Sequence, residues 1–389
     1  MPKATDLIHH PYVPPAGFAA PQPGVYKAST VIFANVAAMR ARDWQHKAGY
    51  TYGLHGTPTT FQLEERIATL EGGKHCLLVP SGLAAIANVN MALLKAGDEV
   101  LIPDNAYGPS KALAEGELKN WGIGHQLYDP MDPADLAARI GPNTRLVWLE
   151  APGSVTMEFV PLAQLARLCR SKGVTTALDN TWGSGLAFNG FEQGADVVVH
   201  ALTKYPSGGG DVLMGSITTR DDALHRRLKL THMRLGWGVA GNDAEAVLRS
   251  LPSLELRYRA HDRSARELAR WLHGRPEVSQ VLHPALEGSP GHEHWVATCG
   301  KDGVAAGLFS VVFHARHAQD QVDAFCDSLR LFKLGYSWGG PVSLVVPYDI
   351  ATMRRAWPHK GTLVRFSIGL EAAEDLREDL GQALGALSR

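Results

Sequence analysis

Short apolar runs alternate with helical patterns along residues 75–220. Apolar runs of about four to eight residues that end at polar or turn-forming positions are typical of buried strands. They occur here as HCLLVPS, EVLIPD, HQLYD, TRLVWLE, VTTALDN, DVVVHAL and VLMGSITT. Helical patterns lie between them at residues 84–95, 110–120, 133–140 and 161–172. This repetition predicts right-handed crossovers and a large domain built on a mostly parallel sheet, which is the α/β class.

The pattern changes after residue 220 and differs again at the start of the chain. Helices are predicted at 243–251 and 253–274, and the later strands VSQVLHP, GLFSVVFHA and LVRFSIGL are separated by a helix at 318–331 and closed by one at 372–387. The first 49 residues are rich in Pro and Ala, with one short helix at 31–42. We therefore predict an arm over 1–49, a large domain over 50–247 and a smaller α+β domain over 248–389.

Composition excludes several classes of partner. With 38 basic and 39 acidic residues the net charge is −1, which leaves no electrostatic footprint for nucleic acid or an anionic membrane, so a small-molecule partner fits better. The four cysteines have neither zinc-site nor disulfide-framework spacing, and this favours a reducing cytoplasm. No apolar run has the length of a signal-peptide core or a membrane span, so we expect a protein that is neither exported nor inserted.

The histidines raise the question of a metal site. His292 and His294 in GHEHW are the best candidate pair among the 17 histidines. Flanking Pro290 and Gly291 predict a loop, and no third ligand has a recognisable spacing. A solvated loop is therefore favoured, and no metal is expected.

The stretch HALTKYPSGGG carries the strongest chemical signal. A buried strand delivers Lys204 into a glycine-rich turn, where a lysine either snorkels to solvent, forms an ion pair or is covalently committed to a carbonyl. The run VTTALDN ends in Asp179, which would share the same sheet edge if the two strands are parallel neighbours. Pyridoxal phosphate (PLP) needs this pair, because it bonds to a lysine amine and uses a carboxylate to keep its ring nitrogen protonated.

Eight motifs in order carry a family resemblance from about residue 50 to the end. The chain resembles the Cys/Met-metabolism family of PLP enzymes, and within it the bacterial cystathionine β-lyase branch. No single motif is decisive, but the ordered set is very specific; it comprises GTPTTFQLEERIATLEGG (56–73), SGLAAI (81–86), NAYGPS (105–110), LEAPGSVTMEF (149–159), DNTW (179–182), LTKY (202–205), SWGG (337–340) and GTLVRFSIGLE (361–371). The resemblance implies the aspartate-aminotransferase fold (fold type I).

The resemblance also implies a set of cofactor contacts. It gives Lys204 the Schiff base with PLP and Asp179 the ring nitrogen. It assigns the phosphate of PLP to Ser81, Gly82 and Leu83, which lie at a predicted helix N-terminus, and adds hydroxyl donors from Thr203 and Ser81. Without the family, the preferred interpretation of these residues would be a strand-to-helix turn that needs glycine. Tyr107, otherwise a half-buried packing residue, stacks on the ring in the family and helps to activate the incoming amine.

Other matched positions concern the substrate and a second subunit. The resemblance gives Arg365 the substrate α-carboxylate, where a structural ion pair is the ordinary alternative, and places Ser337 and Trp338 in the substrate pocket, Trp338 being typical of β-lyases. It places Tyr52 in a neighbour's active site and the arm across a neighbouring subunit, within a typical homotetramer. The family's nearby arginine is Leu54 here, which removes one cation from the phosphate pocket.

The implied reaction is carbon–sulfur β-elimination on an amino-acid thioether. With L-cystathionine and water the products would be L-homocysteine, pyruvate and ammonia, the step before methionine synthesis in transsulfuration. A γ-lyase or γ-synthase on the same scaffold is the nearest alternative, and a cysteine or cystine β-lyase is another. A non-enzymatic binding protein on a decayed scaffold is disfavoured by Lys204, Asp179, Tyr107 and Arg365.

Overall fold

A computed structural model of the chain describes residues 4–388, so the first three residues of the predicted arm and the last residue of the small domain lie outside the described residues. The helices are α1 (Ala4–Ile8), α2 (Val36–Arg40), α3 (Pro58–Glu71), α4 (Gly82–Leu93), α5 (Gly108–Leu113), α6 (Pro133–Arg139), α7 (Leu162–Ser171), α8 (Asp222–Leu235), α9 (Gly241–Ser250), α10 (Leu254–His273), α11 (His292–Cys299), α12 (Gln319–Ser328) and α13 (Ala373–Leu384). The strands are β1 (His75–Val79), β2 (Glu99–Pro103), β3 (Gly124–Tyr128), β4 (Thr144–Glu150), β5 (Thr175–Asp179), β6 (Val197–His200), β7 (Gly215–Thr219), β8 (Val278–Leu282), β9 (Leu308–Phe313), β10 (Lys333–Leu334), β11 (Leu344–Tyr348) and β12 (Leu363–Ser367).

The large sheet has the strand order β1-β7-β6-β5-β4-β2-β3. Strand β7 is antiparallel to both neighbours, and the remaining pairs are parallel. Alternate side chains of one strand enter different apolar clusters: Val100 packs on one face of the sheet and Leu101 on the other. Burial on both faces is the reason the strands are nearly continuous apolar runs, and the mostly parallel sheet predicted from them is confirmed.

The second sheet has the order β10-β11-β12-β9-β8 and is antiparallel except between β10 and β11. Its core contains Phe309, Phe313, Phe325 and Phe366, and helices α10, α12 and α13 supply the apolar residues that pack against them. The smaller α+β unit expected from the C-terminal sequence is therefore present. None of the helices within residues 4–388 is both long and apolar enough to cross a membrane.

The structure corrects several element predictions. The pair His292 and His294 lies in α11, not in a loop, because Gly291 takes the left-handed conformation before the helix and Trp295 buries its side chain. The helix predicted at 31–42 is reduced to α2. Helix α3 was not predicted, since polar side chains such as Glu64 and Glu71 are buried in it.

Helix α8 and strand β11 were also not predicted. In α8 (DALHRRLKLTHMRL) charged residues are spread around the helix, so its apolar stripe is weak. Strand β11 contains Pro347, which cannot donate a ladder hydrogen bond and lowers the strand signal.

Candidate active site

Two of the sequence-predicted residues meet at the carboxyl edge of the large sheet. Strands β5 and β6 are parallel neighbours with Asp179 opposite Val199, and Lys204 lies in the turn that follows β6. The Lys204 ammonium does not snorkel to solvent, because Nζ donates a hydrogen bond of 2.7 Å to Ser337 Oγ. A segment before the small sheet's β11 thus closes over the lysine.

The environment of Lys204 favours the neutral amine. Burial lowers its pKa to about 8, and the positive charge of Arg365 acts in the same direction, while Asp179 partly opposes them. The indole of Trp338 covers the lysine, with 5.4 Å between Nζ and the ring centroid. A lysine with this pKa is a competent nucleophile and base near neutral pH.

Asp179 lies in a contrasting environment. Burial raises the pKa of its carboxyl group, although the hydroxyl and the backbone N–H of Thr181 donate hydrogen bonds of 2.5 and 3.0 Å to Oδ1. No arginine, lysine or histidine within residues 4–388 is in ion-pair contact with it. The carboxylate therefore has capacity for a cation that residues 4–388 do not supply.

Among the described residues, Arg365 on β12 is also without a charged partner. Its side chain is 8 % exposed, one Nη donates to the Ser337 carbonyl at 3.3 Å, and Nε has no hydrogen-bond partner. Its guanidinium lies 5.5 Å from the ring centroid of Tyr348, and no carboxylate of the described chain pairs with it. The structural ion pair considered as the ordinary alternative is absent from the described residues. Spare donors on a buried guanidinium are suited to a carboxylate ligand.

Ser337 connects the lysine with the arginine. Its hydroxyl accepts from Lys204 and its carbonyl accepts from Arg365, and its φ of 81° lies in the left-handed region. The neighbouring Gly339 also has a positive φ, and a Cβ there would lie 2.8 Å from the backbone N of Tyr205. The SWGG motif thus needs glycine so that this segment can lie directly on the turn that carries Lys204.

The N-terminus of α4 faces the same sheet edge. Ser81 is the N-cap, and its Oγ accepts a 3.0 Å hydrogen bond from the backbone N of Ala84, while the N–H groups of Gly82 and Leu83 belong to the first turn and have no intrahelical acceptor. A Cβ on Gly82 would lie 2.7 Å from Ala201 Cβ, so only glycine fits. This end of the helix offers backbone donors for an anion.

Thr203 does not have a free hydroxyl donor. Its Oγ1 donates to the carbonyl of Met214 at 3.2 Å and accepts from the N–H of the same residue at 3.1 Å. The hydroxyl therefore joins the turn after β6 to the segment before β7.

Tyr107 is 42 % exposed and is anchored by a residue that the sequence analysis did not single out. Its backbone N–H donates to Glu150 Oε2 at 2.8 Å. Glu150 ends β4 and lies directly opposite Asp179 in the ladder. Burial, and then the charge of Asp179, raise the pKa of Glu150 well above its usual range. A glutamate at the end of the apolar run TRLVWLE was the signal that could have identified it.

Other supporting residues were also missed. Arg257 donates to the carbonyl of Tyr205 at 2.8 Å and so stabilises the turn that carries Lys204. The fully buried Glu71 and His200 are in contact behind Asp179, with 2.8 Å between Oε1 and Nδ1. His200 opens the stretch HALTKYPSGGG, so a polar residue inside an apolar run was the available signal.

Tyr52 does not join this site within one chain. It is 46 % exposed and forms an isolated antiparallel bridge with Thr30. The centroids of its ring and of the His55 ring are 6.0 Å apart. Leu54 lines a separate small cavity that also contains His55 and Lys229. In the described chain no contact links either Tyr52 or Leu54 with Lys204.

Comparison with known proteins agrees with this architecture. A family model described as "Cys/Met metabolism PLP-dependent enzyme" matches residues 4–385. The chain is 39% identical to a cystathionine beta-lyase of Bordetella avium over 97% of this chain and 96% of the relative, and 35% identical to the cystathionine beta-lyase MetC of Escherichia coli over 92% and 91%. The structure of metB from Corynebacterium glutamicum superposes with a TM-score of 0.90 at 31% identity, covering 99% of this chain and 98% of that one. The chain belongs to the Cys/Met metabolism family of PLP-dependent enzymes.

Proposed function

We propose that this enzyme catalyses the β-elimination of L-cystathionine, which with one water molecule gives L-homocysteine, pyruvate and ammonia. The observation that carries the proposal is the convergence of Lys204 and the unpaired Arg365 on Ser337, beside Asp179 at the sheet edge. Relatives that match almost the whole chain are named cystathionine beta-lyases, which supports this reaction over a γ-elimination.

The residues at the sheet edge fit PLP in four independent ways. The first-turn N–H groups of Gly82 and Leu83 suit its phosphate. Asp179 lacks a cation partner in the described chain and suits a protonated ring nitrogen. Lys204, whose pKa is lowered to about 8, suits an aldehyde carbon. The exposed face of Tyr107 would stack on the ring plane.

When bound, PLP supplies an electron sink that stabilises negative charge at the substrate's α-carbon. In our proposal the guanidinium of Arg365 binds the α-carboxylate and so fixes the orientation of the amino acid. Lys204 Nζ takes the α-proton, and it delivers a proton to the thiolate sulfur as the carbon–sulfur bond breaks. Tyr107 assists proton removal from the incoming amine.

Ser337 and Trp338 have positioning roles in this proposal. The Ser337 hydroxyl holds Nζ at the position from which the α-carbon is reached, and the Trp338 indole excludes water from the lysine. A dry site lowers the pKa of the amine, because water would stabilise the ammonium. Trp338 also supports the β-lyase assignment.

We propose further that the catalytic unit is at least a dimer, within a homotetramer. The arm over 1–49 exposes Val13, Phe18 and Ile32 by 95, 65 and 92 %, which supports packing on another copy. Tyr52 would then serve the neighbour's site. The three-part division at residues 49 and 247 is part of the same proposal. So is a cytoplasmic location, which the four free cysteines support.

Mixing two inactive variants tests the shared site. Lys204→Ala lacks the lysine, and Tyr52→Ala lacks the residue given to the partner. Reassembled from an equal mixture, half of the dimers pair the two variants and restore one of two sites, so about a quarter of wild-type activity returns. Activity that stays at the level of the separate variants would contradict a site shared in this way.

Product analysis tests the reaction itself. The purified, PLP-loaded protein is incubated with L-cystathionine and the keto acid is identified. Pyruvate with homocysteine is the expected result. Formation of 2-oxobutyrate with cysteine would make the enzyme a γ-lyase and would remove Trp338 as a marker of the β-lyase branch. Cleavage of cysteine or cystine in preference to cystathionine would reassign the substrate.

A further inference from the structure

Tyr348 lies directly beside the Arg365 guanidinium. It is the last residue of β11, which is antiparallel to β12, and Arg365 on β12 lies opposite Val346. Tyr348 is two residues further along on the same face of the sheet, so the two side chains are diagonal neighbours. The guanidinium carbon lies 5.5 Å from the ring centroid, which is within the range of a cation–π contact. Arg365 therefore has an aromatic partner.

The surroundings of Tyr348 hold it in this position. Its side chain packs against the apolar cluster that contains Phe159 of the large domain. The chain that follows is tied to the same domain, because Arg354 Nε donates to Asp104 Oδ2 at 3.0 Å and Nη1 donates to Glu158 Oε1 at 2.5 Å. The side chains in these ion pairs are no more than 12 % exposed. Tyr348 is thus held by β11 on one side and by the large domain on the other.

An aromatic ring compensates for the burial of a cation without occupying its donors. Burial lowers the pKa of Arg365, and the contact with Tyr348 opposes that effect. A carboxylate partner would also stabilise the charge, but it would take up the guanidinium fork that a substrate carboxylate needs. Within residues 4–388, Nε of Arg365 makes no hydrogen bond and its side chain has no ion pair, so its donors remain free for a ligand.

The ring also affects the strength of an ion pair formed at Arg365. An aromatic side chain beside the guanidinium takes the place of water, and two charges attract each other more strongly where water is excluded. A side chain whose conformation is restricted before the ligand arrives also loses less entropy on binding. Both effects increase the affinity for ligands that carry a carboxylate and do not act on other ligands.

We propose that Tyr348 is a positioning residue for the substrate's α-carboxylate, because its ring shields the Arg365 guanidinium from water and holds it in place. The inference rests on the carboxylate role of Arg365 in the proposed function, and extends it to a residue outside the eight sequence motifs. The consequence is selective: ligands with a carboxylate depend on Tyr348, whereas amines without one do not.

Two small ligands that differ only in the carboxyl group measure this selectivity. L-Alanine has no β-substituent that could leave, and ethylamine is the same molecule without the carboxyl group. The dissociation constants of both are obtained from the absorbance change of the PLP-loaded protein. In Tyr348→Ala we expect the constant for L-alanine to rise about tenfold, the size of a cation–π contact shielded from water, and the constant for ethylamine to stay within about twofold.

Further variants identify the cause. Tyr348→Phe keeps the ring and should bind L-alanine within about twofold of wild type, whereas Tyr348→Leu, which fills more of the space than alanine, should show a selective loss of several-fold. Adding Tyr348→Ala to Arg365→Met should cause no further loss of L-alanine affinity, because Tyr348 acts through Arg365. Trp271→Ala is the matched control: the Trp271 ring lies 3.9 Å from the Arg275 guanidinium carbon and contacts no residue of the site, so the melting temperature should fall while both constants stay unchanged.

Three results would overturn the inference. One is an unchanged L-alanine constant in Tyr348→Ala. Another is an equal loss for L-alanine and ethylamine, which would indicate a general defect in the fold. The third is a loss in Tyr348→Phe as large as in Tyr348→Ala, which would assign the effect to the hydroxyl group. Wild-type protein that binds L-alanine but forms no pyruvate from L-cystathionine would instead refute the proposed function.

Discussion

Replacing Arg365 with methionine separates two contributions of its guanidinium. One is its contribution to the stability of the free protein, and the other is its contribution to substrate binding. In the free protein the guanidinium is buried, with Nε unpaired, and an unsatisfied buried donor costs about 1–3 kcal/mol. The favourable contacts are the 3.3 Å bond to the Ser337 carbonyl, worth about 1 kcal/mol, and the Tyr348 ring, worth about 0.5–2 kcal/mol. The cost of the unpaired donor and the gain from these two contacts nearly cancel, so the guanidinium contributes little to the free energy of unfolding.

We therefore expect Arg365→Met to leave the free energy of unfolding within about 1 kcal/mol of wild type, because methionine fills the same space without an unpaired donor. Substrate binding is weakened instead, because the desolvated ion pair between the guanidinium and the substrate's α-carboxylate is lost. At about 3 kcal/mol, that loss lowers kcat/KM by about 10²-fold, mostly through KM, while PLP remains bound. Arg365→Lys should fall in between, since an ammonium cannot bind both carboxylate oxygens in the same fork.

Steady-state kinetics with L-cystathionine and thermal unfolding of the same preparations measure both effects. Arg249→Met is the matched control, because Arg249 has a side chain 76% exposed and only a surface ion pair with Glu245; it should change neither KM nor stability by more than about 0.5 kcal/mol. An unchanged KM in Arg365→Met would refute the carboxylate assignment. Destabilisation by more than about 3 kcal/mol would show that the guanidinium stabilises the fold itself.

Three further predictions follow from the same geometry. Burial and the charge of Asp179 raise the pKa of Glu150, so a neutral glutamine should replace it well, and its amide oxygen still accepts from the Tyr107 N–H. Glu150→Gln should therefore retain PLP affinity and its pH dependence. Glu150→Ala loses this acceptor and should weaken PLP binding several-fold, as measured by absorbance titration. The rate of PLP uptake by cofactor-free protein should rise with pH and reach half its maximum near pH 8, as Lys204 loses its proton; a midpoint near pH 10 in stopped-flow absorbance would contradict the role of burial. Leu54→Arg should not weaken PLP retention, and clear loss of the cofactor on dialysis would count against that alignment.

The strands that hold the site could be predicted because they are buried on both faces. Runs such as DVVVHAL and VTTALDN have no polar face, so length and apolar content identify them, and parallel pairing then brings Asp179 and Lys204 to one edge. What the pattern could not predict were elements whose stability depends on tertiary contacts. Helix α3 buries Glu71, and no periodicity rule anticipates a carboxylate inside the core.

The contacts between the two sheets could not be predicted from the sequence either. Ser337 approaches Lys204 only because Gly339 permits a backbone contact with Tyr205, and residues more than 130 positions apart give no local signal for this. Likewise, Glu150 acquires its significance from its register with Asp179. The sequence indicated which residues carry chemistry, whereas the structure shows what holds them in place.

Trapping the cofactor on the protein tests the central claim most directly. Borohydride treatment of the PLP-loaded protein, followed by trypsin and mass spectrometry, fixes a pyridoxyl group on the lysine that carries the cofactor. If that lysine is Lys204, trypsin no longer cleaves after it, and the label appears on a single peptide spanning residues 173–220. A label on any other lysine, or cleavage at Lys204 with no labelled peptide, would contradict the account.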